Sequence, residues 1–149
     1  MADFNFVTVR LAAGAAIGSP KDVQALIAAG VTHIIDCRAD FDDASLLASR
    51  PELHYLWNGV NDDGQPKPAS WFEKSISFAL SAFVANPHYR VYAHCQAGVN
   101  RGPSTCYAIL RALGLNTALA ENLIRTARPQ VQLRYKPDAD AAVHLLGYV

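Results

Sequence analysis

Short apolar runs alternating with helical stretches are the feature that most limits how this chain can fold. Val31-Thr32-His33-Ile34-Ile35-Asp36-Cys37, Leu53-His54-Tyr55-Leu56-Trp57 and Arg90-Val91-Tyr92-Ala93 read as strands. Phe6 to Leu11 reads as a first strand, with β-branched residues at alternate positions. Ser19-Pro20 supplies an N-cap and a first-turn proline for a helix through Ala29, which Gly30 stops. A short helix follows the acidic stretch Asp40 to Asp43, and Asn61 to Pro68 is dense in turn formers. Ser70 caps a long helix with Phe72, Ile76, Leu80 and Phe83 at helical spacing. Pro103–Leu113, Thr117–Arg128 and Pro137–Leu146 complete the helical set. The alternation predicts an α/β fold over 1–149 as one domain, with a central, mostly parallel sheet of about five strands flanked by helices. Loops at the strand C-termini then meet on one edge, where ligands bind. Cys37, the Asp62/Asp63 loop and the loop after Ala93 belong to that edge.

Charge narrows the function. Thirteen basic residues balance thirteen acidic ones among 149, which argues against a dedicated binder of nucleic acid or anionic membrane. Met1 to Asn5 lacks the basic start of a secretory signal, Ala12 to Ile17 is too short to act as one, and no run suits a membrane span. Three cysteines at irregular spacing read as reduced thiols, so a cytoplasmic location is expected. His33, His54, His88 and His144 show no metal-ligand spacing, and neither a metal nor another cofactor is expected.

The chemistry concentrates in His94-Cys95-Gln96-Ala97-Gly98-Val99-Asn100-Arg101. A strand that turns sharply into a helix leaves backbone N–H groups without intrahelical partners, aimed at one spot. Those donors, the positive helix end and Arg101 favour a phosphate dianion, and they favour the thiolate form of Cys95. A thiolate under a phosphate-shaped cup is a nucleophile aimed at phosphorus.

His94-Cys95, five residues and Arg101 resemble the signature of the cysteine-dependent protein phosphatases, in their small dual-specificity branch. The acid loop Asp62-Asp63-Gly64-Gln65-Pro66 is similar to that of the phosphatases of regenerating liver. The resemblance implies Cys95 as nucleophile, Arg101 as phosphate clamp and Asp63, 32 positions before the cysteine, as general acid and then base. Asp62 is the other candidate for that role. Backbone N–H groups of Gln96, Ala97, Gly98, Val99, Asn100 and Arg101 would hold the phosphoryl oxygens, with Gly98 easing the turn. His94 is expected to support the loop from behind rather than to act as a base. Gly102 departs from the family's usual Ser or Thr after the arginine, which implies slow breakdown of the phosphoenzyme; Ser104 is a partial substitute. Cys37 matches a cysteine that, in the regenerating-liver phosphatases, forms a reversible disulfide with the nucleophile. An ordinary buried thiol is the alternative reading there, and the expected one for Cys106. Trp71 and Phe72 read as helix core, and Trp57 as a support beneath the acid loop.

The expected partner is a phosphorylated protein or peptide. Uncharged Gln96, Ala97, Val99 and Asn100 suit a single phosphate better than a phosphoinositide. Two enzyme alternatives remain: a rhodanese-type sulfurtransferase loop, usually one residue shorter, and an RNA 5′-phosphatase of the same superfamily, which Gly98-Val99-Asn100-Arg101 resembles. For the latter, Arg125, Arg128, Arg134 and Lys136 would form a basic patch, or else an ordinary solvated face. A phosphopeptide-binding module without turnover is the non-enzymatic alternative.

Overall fold

The computed structural model describes residues 1–149. Its five strands are β1 (Phe4–Thr8), β2 (Leu11–Gly14), β3 (His33–Arg38), β4 (His54–Val60) and β5 (Val91–His94). The six helices are α1 (Pro20–Ala28), α2 (Ala44–Leu47), α3 (Ala69–Ala85), α4 (Arg101–Ala112), α5 (Thr117–Ala127) and α6 (Lys136–Leu145). The sheet order is β1-β2-β5-β3-β4, parallel except for β1, which runs antiparallel to β2. The expected α/β architecture is what the chain adopts.

Two local expectations are corrected. Phe6 to Leu11 is not one strand: the chain reverses at Val9-Arg10, and Leu11–Gly14 returns as a second strand beside β5. Arg10 makes that reversal an anchor, donating to the carbonyls of Tyr89 (2.9 Å) and Phe83 (3.3 Å). Alternation in the first strand hid the second, because Ala12 and Ala13 are small and buried on both faces. The long helix α3 begins one residue before Ser70, with Pro68 at its N-cap and no side-chain capping bond.

Two cores lie on opposite faces of the sheet. The larger packs α3, α4, α5 and α6 through Phe72, Ile76, Tyr107, Ile109 and Val143. The smaller packs α1 through Val23, Leu26, Ile34 and Tyr92. Trp71 and Phe72 are buried in the first, as expected. β2, β3 and β5 are buried on both faces, and a one-residue slip would exchange the side chains that serve the two cores. Asp36 is thereby held level with His94, and Arg38 with Val60. No helix is long and apolar enough to cross a membrane.

Candidate active site

The loop from Cys95 to the start of α4 is built so that its carbonyls point away from its centre. Gln96 O accepts from Ala16 N–H at 3.1 Å, and Val99 O from Gln132 N–H at 3.0 Å. Between them, Arg128 Nε donates to Gly98 O (2.7 Å) and Nη2 to Ala97 O (3.0 Å). None of the N–H groups from Gln96 to Arg101 has a protein acceptor. A run of free donors at a helix N-terminus is an anion cradle. Gly98 takes φ +71°, and a Cβ there would stand 2.5 Å from Arg128 Nη2 and 2.6 Å from the Gly14 carbonyl carbon. Only glycine fits that turn without strain.

Arg128, expected in a basic surface patch or on a solvated face, is fully buried instead. Besides the two loop carbonyls, it pairs with Asp3 Oδ1 and Asn5 Oδ1, each at 2.9 Å, tying β1 and the segment before it to the loop. The other residues of that patch are engaged too. Arg125 pairs with Glu121 at 2.7 Å, Lys136 lies between Glu121 and Asp140, and Arg134 approaches Asp62 at 3.8 Å.

Cys95 is buried, and Arg101 is 8% exposed. Arg101 Nη1 donates to Val60 O at 3.0 Å, while its buried Nε has no protein acceptor. The guanidinium is thus aimed from the helix start with a donor to spare, the arrangement a bidentate phosphate contact needs. At Gly102, a Cβ would meet Ala93 O at 3.0 Å and the His94 backbone at 3.2 Å. Tight packing of α4 on β5 therefore opposes a larger residue at this position. Ser104 Oγ is buried without a partner.

The Asp62/Asp63 loop does meet the loop after Cys95, and it does so through Asp62. Asn100 Nδ2 lies 3.5 Å from Asp62 Oδ2, and the Tyr135 hydroxyl donates to Asp62 Oδ1 at 2.6 Å. The same hydroxyl accepts from Gly64 N–H at 3.0 Å. Asp63 points elsewhere. Its side chain is 47% exposed and takes a 2.7 Å bond from Lys67 Nζ, whose ammonium also lies over the Tyr135 ring. The Lys67 bond, reinforced by Gln65 N–H, holds the Asp63 carboxyl below the usual carboxylate range. Trp57 does not lie buried beneath this loop: its indole is half exposed and donates to Arg38 O at 2.7 Å.

Cys37 lies one residue past the Asp36–His94 pairing, so the two cysteine-bearing strand ends are neighbours. Its thiol is fully buried and lies 3.5 Å from Thr105 Oγ1. Burial pushes that thiol up, which disfavours the thiolate a disulfide exchange would need. Cys106 is buried in the core, as expected. His94 points away from the loop's open side. Its Nδ1 faces Cys95 O at 3.3 Å, and its Nε2 is hydrogen-bonded to Asp43.

The family model for the dual specificity phosphatase catalytic domain matches residues 17–136. The chain belongs to the dual specificity phosphatases, within the cysteine-dependent phosphatase superfamily. Dual specificity protein phosphatase 2 of Mus musculus is 33% identical over 94 residues. That match covers 60% of this chain and 26% of the relative, so the chain spans about a quarter of the mouse protein's length. A human tyrosine phosphatase-like serine/threonine/tyrosine-interacting protein superposes with a TM-score of 0.79 at 15% identity, covering 98% of this chain and 99% of that one. The structure of PTPMT1 in complex with PI(5)P gives a TM-score of 0.78 at 14% identity, covering 96% and 98%. At such identities these two likenesses speak to the fold.

Proposed function

We propose that this chain hydrolyses phosphate monoesters on phosphoproteins through a cysteinyl-phosphate intermediate. The observation that carries the reading is the ring of unpartnered N–H groups from Gln96 to Arg101 around a buried cysteine and arginine. The Cys95 thiolate attacks phosphorus, an Sγ–P bond forms, and the ester P–O bond breaks. Arg101 and the loop N–H groups hold the phosphoryl oxygens, whose charge is greatest in the transition state. A carboxylic acid protonates the leaving oxygen. As carboxylate it then takes a proton from the water that attacks the phosphoenzyme, releasing inorganic phosphate and the thiolate.

Asp62 fills the acid role better than Asp63, because it lies beside Asn100 of the phosphate loop. Asp63 is held as a carboxylate by Lys67. An acid must arrive protonated, so Asp63 serves here as the loop's anchor. Substrates carrying a single phosphate suit the uncharged positions Gln96, Ala97, Val99 and Asn100. A binding-only module would not need the nucleophile, arginine and acid together. The pairing of Arg125, Lys136 and Arg134 with carboxylates, and the burial of Arg128, leave little basic surface for RNA.

Phosphate release from a phosphotyrosyl peptide, a phosphothreonyl peptide, a phosphoinositide and an RNA 5′-triphosphate tests the reading, with Cys95→Ser as blank. Release from the peptides should fall by at least about 10³-fold in the variant. Release confined to the lipid or the RNA would replace the phosphoprotein assignment, and release that survives Cys95→Ser would remove the mechanism.

A further inference from the structure

Behind the phosphate loop, Asp36, Asp43 and His94 lie together with no solvent exposure, their nearest polar atoms within 4.8 Å of one another. β3 supplies Asp36, the residue before α2 supplies Asp43, and the end of β5 supplies His94. Asp36 takes Arg38 N–H (3.0 Å) on one oxygen and Asp43 N–H (3.1 Å) on the other, where the Tyr55 hydroxyl also lies at 3.0 Å, its single hydrogen shared with the nearer Asp42 Oδ1 at 2.7 Å. Asp43 has fewer partners. Its Oδ2 bonds His94 Nε2, its Oδ1 has no partner, and it makes no capping bond to α2 although it sits at the N-cap. A buried carboxylate with one side-chain partner is costly unless that partner matters to it.

Counting hydrogens defines one ring nitrogen. The Cys95 carbonyl oxygen, 3.3 Å from Nδ1, can only accept, so Nδ1 carries a hydrogen. The Asp43 contact fits either a hydrogen on Nε2 facing a carboxylate or a hydrogen on Asp43 facing a bare Nε2. A second acceptor, Asp36 Oδ1, lies 3.8 Å from the same nitrogen. The Tyr92 ring stacks on the imidazole with centroids 5.5 Å apart and a 24° tilt, which keeps it in that plane. Gly102, at the start of α4, packs against the His94 backbone, where a Cβ would stand 3.2 Å away.

We propose that Asp43 is a positioning residue for the Cys95 nucleophile. Bonded to His94 Nε2, it keeps a hydrogen on both ring nitrogens, which aims Nδ1–H at the Cys95 carbonyl and sets a positive charge behind the loop. That charge favours the thiolate. The inference rests on Cys95 being the nucleophile, but it concerns the thiol alone and can be read without any phosphate ester.

The experiment is alkylation of Cys95 by iodoacetamide near neutral pH, followed by mass spectrometry with Cys95→Ser as blank. Asp43→Asn can still bond Nε2 through its amide N–H, but it leaves the ring with one hydrogen and no charge. The alkylation rate should fall roughly tenfold or more in that variant. Equal rates in the parent and Asp43→Asn overturn this inference alone, whereas an unreactive Cys95 in the parent removes the nucleophile reading and this one with it. Nitrogen-15 NMR of the parent chain gives an answer that does not depend on a variant folding. Hydrogens on both His94 ring nitrogens are expected, and a hydrogen on Nδ1 alone, with the second on Asp43, overturns the proposal.

Discussion

At the scale of single residues, the two adjacent aspartates separate cleanly by their surroundings. Asp62 faces the Cys95–Arg101 loop and is steadied by Tyr135, while half-exposed Asp63 is tied to the buried Lys67. Asp62→Asn should lower kcat by about 10²–10⁴-fold on an alkyl or aryl phosphate. Asp63→Asn should cost far less and act mainly through loop order. Steady-state kinetics of the two variants side by side checks this, and a larger loss at Asp63 would return the acid role to it. Gly98 offers a second test. Gly98→Ala must place a Cβ against Arg128 and Gly14 at a positive φ, so unfolding free energy should drop by about 1–3 kcal/mol in urea titration.

At the scale of elements, the phosphate loop is held by parts of the chain far from it in sequence. The residue closing α5, Arg128, reaches Ala97 and Gly98 on one side and Asp3 and Asn5 on the other. Arg128→Met would leave two buried loop carbonyls without donors and should destabilise the fold by about 2–5 kcal/mol. Asp3→Asn touches the exposed end of the same pair, where the ion pair is screened, and should cost less than about 1 kcal/mol. Chemical denaturation of both variants tests the order. A costlier Asp3→Asn would mean that the N-terminal segment, not the loop, is what Arg128 serves.

At the scale of the whole molecule, the end of the sheet away from the site carries a pH dependence of its own. His33 and His54 stack with centroids 4.2 Å apart, beside Phe78 and Tyr89. Burial, with the neighbouring His54, lowers the His33 pKa to about 4. The unfolded chain, titrating near 6.5, therefore binds this proton more readily than the fold does. Its contribution is complete above about pH 6.5 and is lost as pH falls toward 4, on the order of 1–3 kcal/mol. Urea titrations across that window should show the fall, reduced in His33→Gln; the same slope in parent and variant would assign it to other groups.

The alternation of apolar runs and helices was enough to read the α/β class and most elements, because buried parallel strands and amphipathic helices imprint their periods locally. Cys95, Gly98 and Arg101 were legible as candidates for the same reason: the spacing that wraps a phosphate is a property of one short segment. What the sequence could not resolve are matters of distance between segments. Whether Asp62 or Asp63 turns to the loop depends on Tyr135 and Lys67, 73 residues beyond the one and four beyond the other. That Arg128 is buried behind the loop, and that Asp36 and Asp43 close on His94, depends on sheet register and on the packing of α5 and α2. Local pattern states which side chains a segment offers. Only tertiary packing decides which of them lose water and find each other, and that choice sets the charge and shape of this site.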